Sequence, residues 1–320
     1  MQLAFVFPGQ GSQYVGMGRS LSAAYPAARN VFAEADEALG ESLTRLAFEG
    51  PAETLDLTVN AQPALLATSV AYLQALEAHV DGEIVPAFYA GHSMGQYSAL
   101  VAAGVISLAD GVRLVRERGR QMQGSADDGA MAAIIGLPDD RLAALREFGQ
   151  SLGVFTIANR NSPGQVVVSG ERAAVEGAAA KAREMGAKRA IVLPVSVAAH
   201  SPLMGRAAEG MLSVLESVRF AAPRAPLLAN ADARLLTTGE ECRAELVEHL
   251  TRGVDWIAAV ECMSAAGASE FIEIGPGKVL SGLIKRIEPR AEAFALDDQS
   301  SADGLAVPPS LITNATGAAP

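Results

Sequence analysis

The stretch Val85-Pro-Ala-Phe-Tyr-Ala-Gly91-His-Ser93-Met-Gly95-Gln-Tyr-Ser-Ala-Leu100 decides the fold. Val85 to Ala90 reads as a short buried strand, and Gln96 to Ala103 as the start of a helix. Between them Gly91-x-Ser93-x-Gly95 matches a nucleophile elbow, a strand-to-helix turn so tight that small residues must flank the nucleophile. The helix start brings free N–H groups and partial positive charge beside Ser93, as a developing oxyanion requires.

Outward from the elbow, Leu3 to Phe7 is an apolar run stopped by Pro8-Gly9, which suits a buried strand entering a Gly-rich loop. Helical spacing runs from Ser20 to about Leu46 and again from Gln62 to His79, with Pro63 suited to a first turn. Ser107 and Asp110 give the S-x-x-D start of a helix reaching about Met122. Strand, helix, strand, helix argues an α/β sheet.

The character changes at Gly124-Ser-Ala-Asp-Asp-Gly129, which reads as a hinge. Beyond it come strand 130–136, helix 139–149, strand 154–158, turn 159–164, strand 165–169, helix 171–185 and strand 189–195. That β-α-β-β-α-β order is ferredoxin-like, so residues 126–196 are expected to be an inserted subdomain between 1–125 and 197–296. Helices at 204–215, 240–250 and after Trp256, and strands at 227–230 and 270–274, complete the pattern. The Ser-, Gly-, Pro- and Asp-rich stretch 297–320 has no periodicity and is expected to be a disordered tail.

The chain has 320 residues, with 25 basic against 36 acidic side chains and a net charge of −11. Strong acidity without a Lys/Arg block disfavours nucleic-acid binding. Two cysteines, Cys242 and Cys262, form no metal-ligand spacing, so no metal site is expected, and free thiols suit a reducing compartment. No signal-peptide pattern or apolar stretch of about 20 residues is present, so a soluble, cytoplasmic protein is expected.

An elbow serine needs a base, and there are four histidines. His79 ends a helix and His92 adjoins the nucleophile, so solvated and structural roles suit them. His200, in a loop before Ser201-Pro202, can project into a cleft, and His249 near a helix end is its competitor. No acid occupies an obvious triad position, but a Ser–His pair with its imidazole oriented by a backbone carbonyl is sufficient.

Together, Phe7-Pro-Gly-Gln10-Gly-Ser-Gln13, the elbow with Tyr97-Ser-Ala-Leu100, Arg118-Gly119, Asn159-Arg-Asn161-Ser-Pro-Gly-Gln165, His200 and Glu273-Ile-Gly-Pro-Gly-Lys278 resemble the malonyl-CoA:acyl-carrier-protein transacylase family over about residues 1 to 296. The resemblance implies an α/β-hydrolase-like large subdomain with a parallel sheet, a ferredoxin-like small one, and acyl transfer from malonyl-CoA to acyl carrier protein in fatty-acid or polyketide synthesis. It implies no bound cofactor, since the phosphopantetheine is carried by the acceptor protein. Ser93 then matches the nucleophile and His200 the base. Gln10 and Met94 match the backbone oxyanion donors, and Arg118 the holder of the substrate's free carboxylate. His249 stands where the family has Gln or Asn, whose main-chain carbonyl orients the base.

The wheel of the Ser107 helix independently puts Arg118 at the border of its buried face, with Arg113 and Arg120 outward. Gln62, His92, Asn161 and Ala199 are candidate lining residues, although Asn159 and Asn161 also suit a turn and Gln62 a helix cap. Departures from the family are Met94, Gln96 in place of a usual Glu, and Val197-Ala-Ala-His200. Small Ala199 leaves room for a substrate branched at its α-carbon, so methylmalonyl tolerance is one alternative. An acyl-carrier-protein hydrolase of the same fold is another, disfavoured by Arg118, which a hydrolase of neutral acyl groups does not need. An acidic carrier protein would need a local basic patch, and Lys181, Arg183, Lys188 and Arg189, or Lys278, Lys285 and Arg286, are the candidates.

Overall fold

The computed structural model describes residues 2–125, 128–195, 197–297, 299 and 301–315, the side chains of 313–315 excepted. Strand β1 (Gln2–Phe7) lies at the centre of a six-stranded sheet of order β11-β10-β1-β2-β7-β8. Its other strands are β2 (Phe88–Gly91), β7 (Leu227–Leu228), β8 (Leu235–Leu236), β10 (Ala268–Glu273) and β11 (Glu292–Ala295), all parallel except the β7–β8 hairpin. The run Ala4-Phe5-Val6-Phe7 is wholly buried because helices cover both faces. Phe5 and Phe7 enter one cluster with Tyr89 and Ile272, while Ala4 and Val6 enter the opposite one with Ala90 and Phe271.

Helices α1 (Arg19–Ala24), α2 (Pro26–Leu39) and α3 (Leu43–Glu49) replace the single helix expected over 20–46. Pro26 starts a new helix, and Gly40, at φ 67°, closes it with its N–H bonded to Asp36 O and Glu37 O. After α4 (Ala52–Leu55), helix α5 (Thr58–His79) begins a turn before the expected start. Pro63 and Gln62 are therefore interior to it, and the expected helix-cap role of Gln62 does not hold. Helix α5 is buried on most sides, which erases the one-sided pattern that marks a surface helix. Helices α6 (Gly95–Ala102) and α7 (Leu108–Gln123) follow, α7 capped by the Ser107 side chain accepting from Asp110 N–H.

The second sheet has order β6-β3-β5-β4-β9. Strands β3 (Gly129–Ile135), β4 (Phe155–Ser162), β5 (Gln165–Glu171) and β6 (Arg189–Val192) each pair antiparallel with their neighbours among these four, with α8 (Leu142–Gln150) and α9 (Arg172–Glu184) packed on them. This is the ferredoxin-like pattern. Asn159 and Asn161, expected in a turn, extend β4 instead, and only Pro163 and Gly164 turn the chain. Strand β9 (Val254–Asp255) pairs in parallel with β4 and joins the two sheets.

Helices α10 (Gly205–Glu216), α11 (Gly239–Arg252), α12 (Trp256–Ala265), α13 (Val279–Ile287) and α14 (Pro309–Ala315) complete the chain. The expected disordered tail from 297 is corrected for its described part. Asp297 accepts hydrogen bonds from Tyr14 Oη (3.0 Å), Tyr72 Oη (2.9 Å) and Gly277 N (2.6 Å). Leu305 and Leu311 are buried in the main core. Aperiodic composition hid these anchors, because single long-range contacts need no repeat. Residues 126 and 127 of the expected hinge, 196 at the expected boundary, and 298, 300 and 316–320 lie outside the described residues. No helix among the described residues is long and apolar enough to cross a membrane.

Candidate active site

The site begins at the carboxyl ends of β1 and β2, where open α/β sheets place their ligands. A Cβ on Gly91 would lie 2.1 Å from Gly95 C, and one on Gly95 would lie 2.2 Å from Phe7 O. Both glycines are thus required by backbone contact, and Ser93 between them is held at φ 54°. Such a conformation costs a non-glycine residue of order 1–3 kcal/mol and persists only where surroundings enforce it. Here they do. His92 N–H bonds Phe7 O at 3.0 Å and Ser93 N–H bonds Asn230 Oδ1 at 2.8 Å. Gln96, fully buried, accepts from Gly91 N–H (3.3 Å) and donates to Leu228 O (3.0 Å). A carboxylate at position 96 could not make the second bond, which accounts for the amide.

His200 is the histidine brought to Ser93. Its Nε2 lies 2.7 Å from Ser93 Oγ, and its Nδ1 lies 2.6 Å from the carbonyl oxygen of His249. A carbonyl can only accept, so the proton sits on Nδ1 and the Nε2 lone pair faces the hydroxyl. His200 also has a positive φ, 60°, the second strained residue of the pair. Burial first, and then the field of Arg118, lower its pKa to about 3, against the opposing bond to His249 O. The ring is neutral at neutral pH.

Arg118 is more deeply placed than its border position on the wheel suggests, being 1% exposed. Its Nη2 donates to Ser93 Oγ at 3.2 Å and lies 3.5 Å from His249 Nε2, and the guanidinium carbon stands 5.9 Å from the Tyr97 ring centre. Its Nε has no partner, and among the described residues no carboxylate pairs with it. A buried cation without a counter-ion is costly, and a guanidinium fork is chemically suited to pair with a carboxylate. The backbone N–H groups of Gln10 and Met94 also have no partner among the described residues. Their two loops are in contact, since a Cβ on Gly9 would meet His92 O at 2.6 Å.

His92 turns away from the nucleophile. Its Nε2 lies 2.8 Å from Asn161 Oδ1 on β4, which ties the elbow to the second sheet, and its ring meets Trp256 edge-on at 5.6 Å. Gln62 is fully buried and its amide donates to Met122 Sδ at 3.7 Å, one turn along α7 from Arg118. Ala199, next to His200 in the chain, is half-buried against the main core. His79 is exposed and bonds Tyr25. Of the basic clusters, Lys181 pairs with Glu184, Arg183 bonds Ala190 O, and Arg286 Nη1 reaches Gln165 Oε1 at 2.7 Å across the two sheets. Lys278 and Lys285 are exposed with no ion pair among the described residues. No three potential metal-binding side chains come together among those residues.

Sequence reasoning missed Asn230 and Glu245. The one available signal for Asn230 is a polar side chain at the carboxyl end of a predicted strand. Glu245, fully buried on α11, accepts Asn230 N–H at 2.6 Å and gives no local signal.

Residues 4–299 match the family model described as "Acyl transferase domain". The chain is 48% identical over 302 residues to the malonyl CoA-acyl carrier protein transacylase of Escherichia coli (strain K12), covering 94% of this chain and 97% of that protein. It is 45% identical over 300 residues to that of Bacillus subtilis (strain 168), with 93% and 94% covered. Among solved structures, an acyl carrier protein S-malonyltransferase from Vibrio cholerae superposes with a TM-score of 0.88 at 44% identity, covering 95% and 99%. A type II polyketide-synthase acyl-carrier protein in complex with its malonyl-transacylase matches with a TM-score of 0.89 at 43% identity, covering 94% and 98%.

Proposed function

Because the chain belongs to the acyl transferase domain family over residues 4–299, we propose that it moves a malonyl group from malonyl-CoA to the phosphopantetheine thiol of an acyl carrier protein. The observation that carries the substrate is Arg118, a buried guanidinium beside Ser93 Oγ with no carboxylate partner among the described residues. Malonyl-CoA brings the missing carboxylate on its acyl group.

Ser93 gives its proton to His200 Nε2 as Oγ attacks the thioester carbon. The oxyanion is received by the Gln10 and Met94 N–H groups. Collapse breaks the C–S bond, and coenzyme A leaves as a thiol with the proton from His200. The malonyl ester on Ser93 keeps its carboxylate on Arg118. In the second half His200 removes the proton of the carrier's thiol, sulfur attacks the ester carbon, and Ser93 recovers its proton. A carboxylate on Arg118 also cancels the second-largest cause of the low His200 pKa, so the base strengthens as the right acyl group binds. The reading uses no resident cofactor. We assign residues 126–196 to an inserted subdomain between 1–125 and 197–296, and place the enzyme in the cytoplasm, where the free thiols Cys242 and Cys262 would stay reduced.

Intact-mass measurement after mixing with malonyl-CoA tests the reading. The wild-type chain gains one malonyl group and Ser93→Ala gains none. A malonylated Ser93→Ala chain would overturn the assignment.

A further inference from the structure

Two neighbouring turns of helix α11 lie behind the site. Glu245 Oε1 accepts Asn230 N–H at 2.6 Å, and Asn230 Oδ1 in turn accepts Ser93 N–H at 2.8 Å. One turn along α11, His249 gives its carbonyl to His200 Nδ1 and its ring to Arg118. The His249 ring is fully buried, with Nδ1 3.8 Å from Glu245 Oε1 and Nε2 3.5 Å from Arg118 Nη2. The Tyr97 ring at 6.3 Å and the His200 ring at 5.9 Å confine it on its other sides.

A guanidinium carries donors only, so the ring nitrogen facing it must present a lone pair. The proton then sits on Nδ1, on the side of Glu245. A protonated His249 would place two buried cations 3.5 Å apart, and burial together with Arg118 and His200 holds the ring neutral. We propose that His249 is a positioning residue for Arg118: the Nε2 lone pair of its ring sets the angle at which the guanidinium meets an acyl carboxylate. Discrimination for a free carboxylate over a neutral acyl group therefore depends on a side chain that touches neither substrate nor nucleophile. This rests on the assignment of Arg118 to the substrate carboxylate.

The test compares kcat/KM for malonyl-CoA and acetyl-CoA in three variants. His249→Ala keeps the backbone carbonyl that orients His200 but removes the ring, and is expected to lower the malonyl-over-acetyl ratio about tenfold, the value of one hydrogen bond to a charged group. His249→Gln restores an acceptor for Arg118, and is expected to recover the ratio to within about threefold. Equal losses for the two acyl groups in His249→Ala, an unchanged ratio, or a His249→Gln no better than the Ala variant would each overturn the inference. An Arg118→Ala variant that keeps full discrimination would instead remove the reading beneath it.

Discussion

Helix α7 carries two buried arginines two residues apart, and they are opposite cases. Arg116, 6% exposed, donates to Val59 O at 2.7 Å and Asn60 Oδ1 at 2.5 Å and pairs with Glu41. The Val59 carbonyl is free to accept because its helical partner would be residue 63, and Pro63 has no N–H. Arg118, about 200° around the helix, meets among the described residues a hydroxyl, an imidazole nitrogen and an aromatic face. A guanidinium that completes the fold brings its acceptors with it, whereas the one assigned above to the acyl carboxylate meets no carboxylate among the described residues. The charge is equal in the two places, and only the neighbouring oxygens differ.

The largest expected effect separates the pair by function. Arg118→Ala should cut kcat/KM for malonyl-CoA by about 10²–10⁴, the loss of a desolvated charge pair, without lowering Tm, since an uncompensated buried cation is removed. A variant that stayed fully active and melted early would erase the distinction. Next, Arg116→Ala should lose about 2–4 kcal/mol of stability in urea unfolding while the folded fraction keeps its transfer rate. Adding Pro63→Ala should recover part of it, by returning an N–H to Val59 O. No recovery would mean that the Glu41 pair, not the helix carbonyl, makes Arg116 matter.

The smallest effect is a pH dependence. His200 titrates near 6.5 in the unfolded chain and near 3 when folded, and His92 and His249 are shifted in the same direction. Between those values the unfolded chain binds protons that the folded one refuses, so stability falls as pH drops below about 6.5. Burial raises Glu245 to about 7 and also raises Glu273 and Glu77, and these carboxyls work the other way and offset part of the loss. Arg118→Ala, where one cause of the low His200 pKa is gone, should therefore lose less melting temperature than the wild-type chain between pH 7 and pH 5. Equal slopes in Arg118→Ala and Arg116→Ala would show that the two cations act alike on the base.

Much of this was legible in the chain because it is local. The glycines at 91 and 95 are dictated by backbone atoms within a few residues or on the adjoining strand end, and Ser107 caps the helix on which both arginines ride. What was illegible depends on partners far away in sequence. Gln62 reads as a cap until α5 is seen to start at Thr58, Asn161 reads as a turn former until β4 carries it beside His92, and Asp297 looks like the start of a tail until Tyr14, Tyr72 and Gly277 converge on it.

The sequence by itself determined the α/β pattern, the nucleophile turn and the types of side chain available to it, because periodicity, turn sterics and chemical identity are properties of short segments. Only the tertiary structure decided how close His200 lies to Ser93, which arginine has no counter-ion among the described residues, and that Glu245 lies behind Asn230. Those are facts about distance and desolvation between residues as far apart as 93, 118, 200 and 245, and a buried charge is costly or useful according to neighbours that no local pattern specifies.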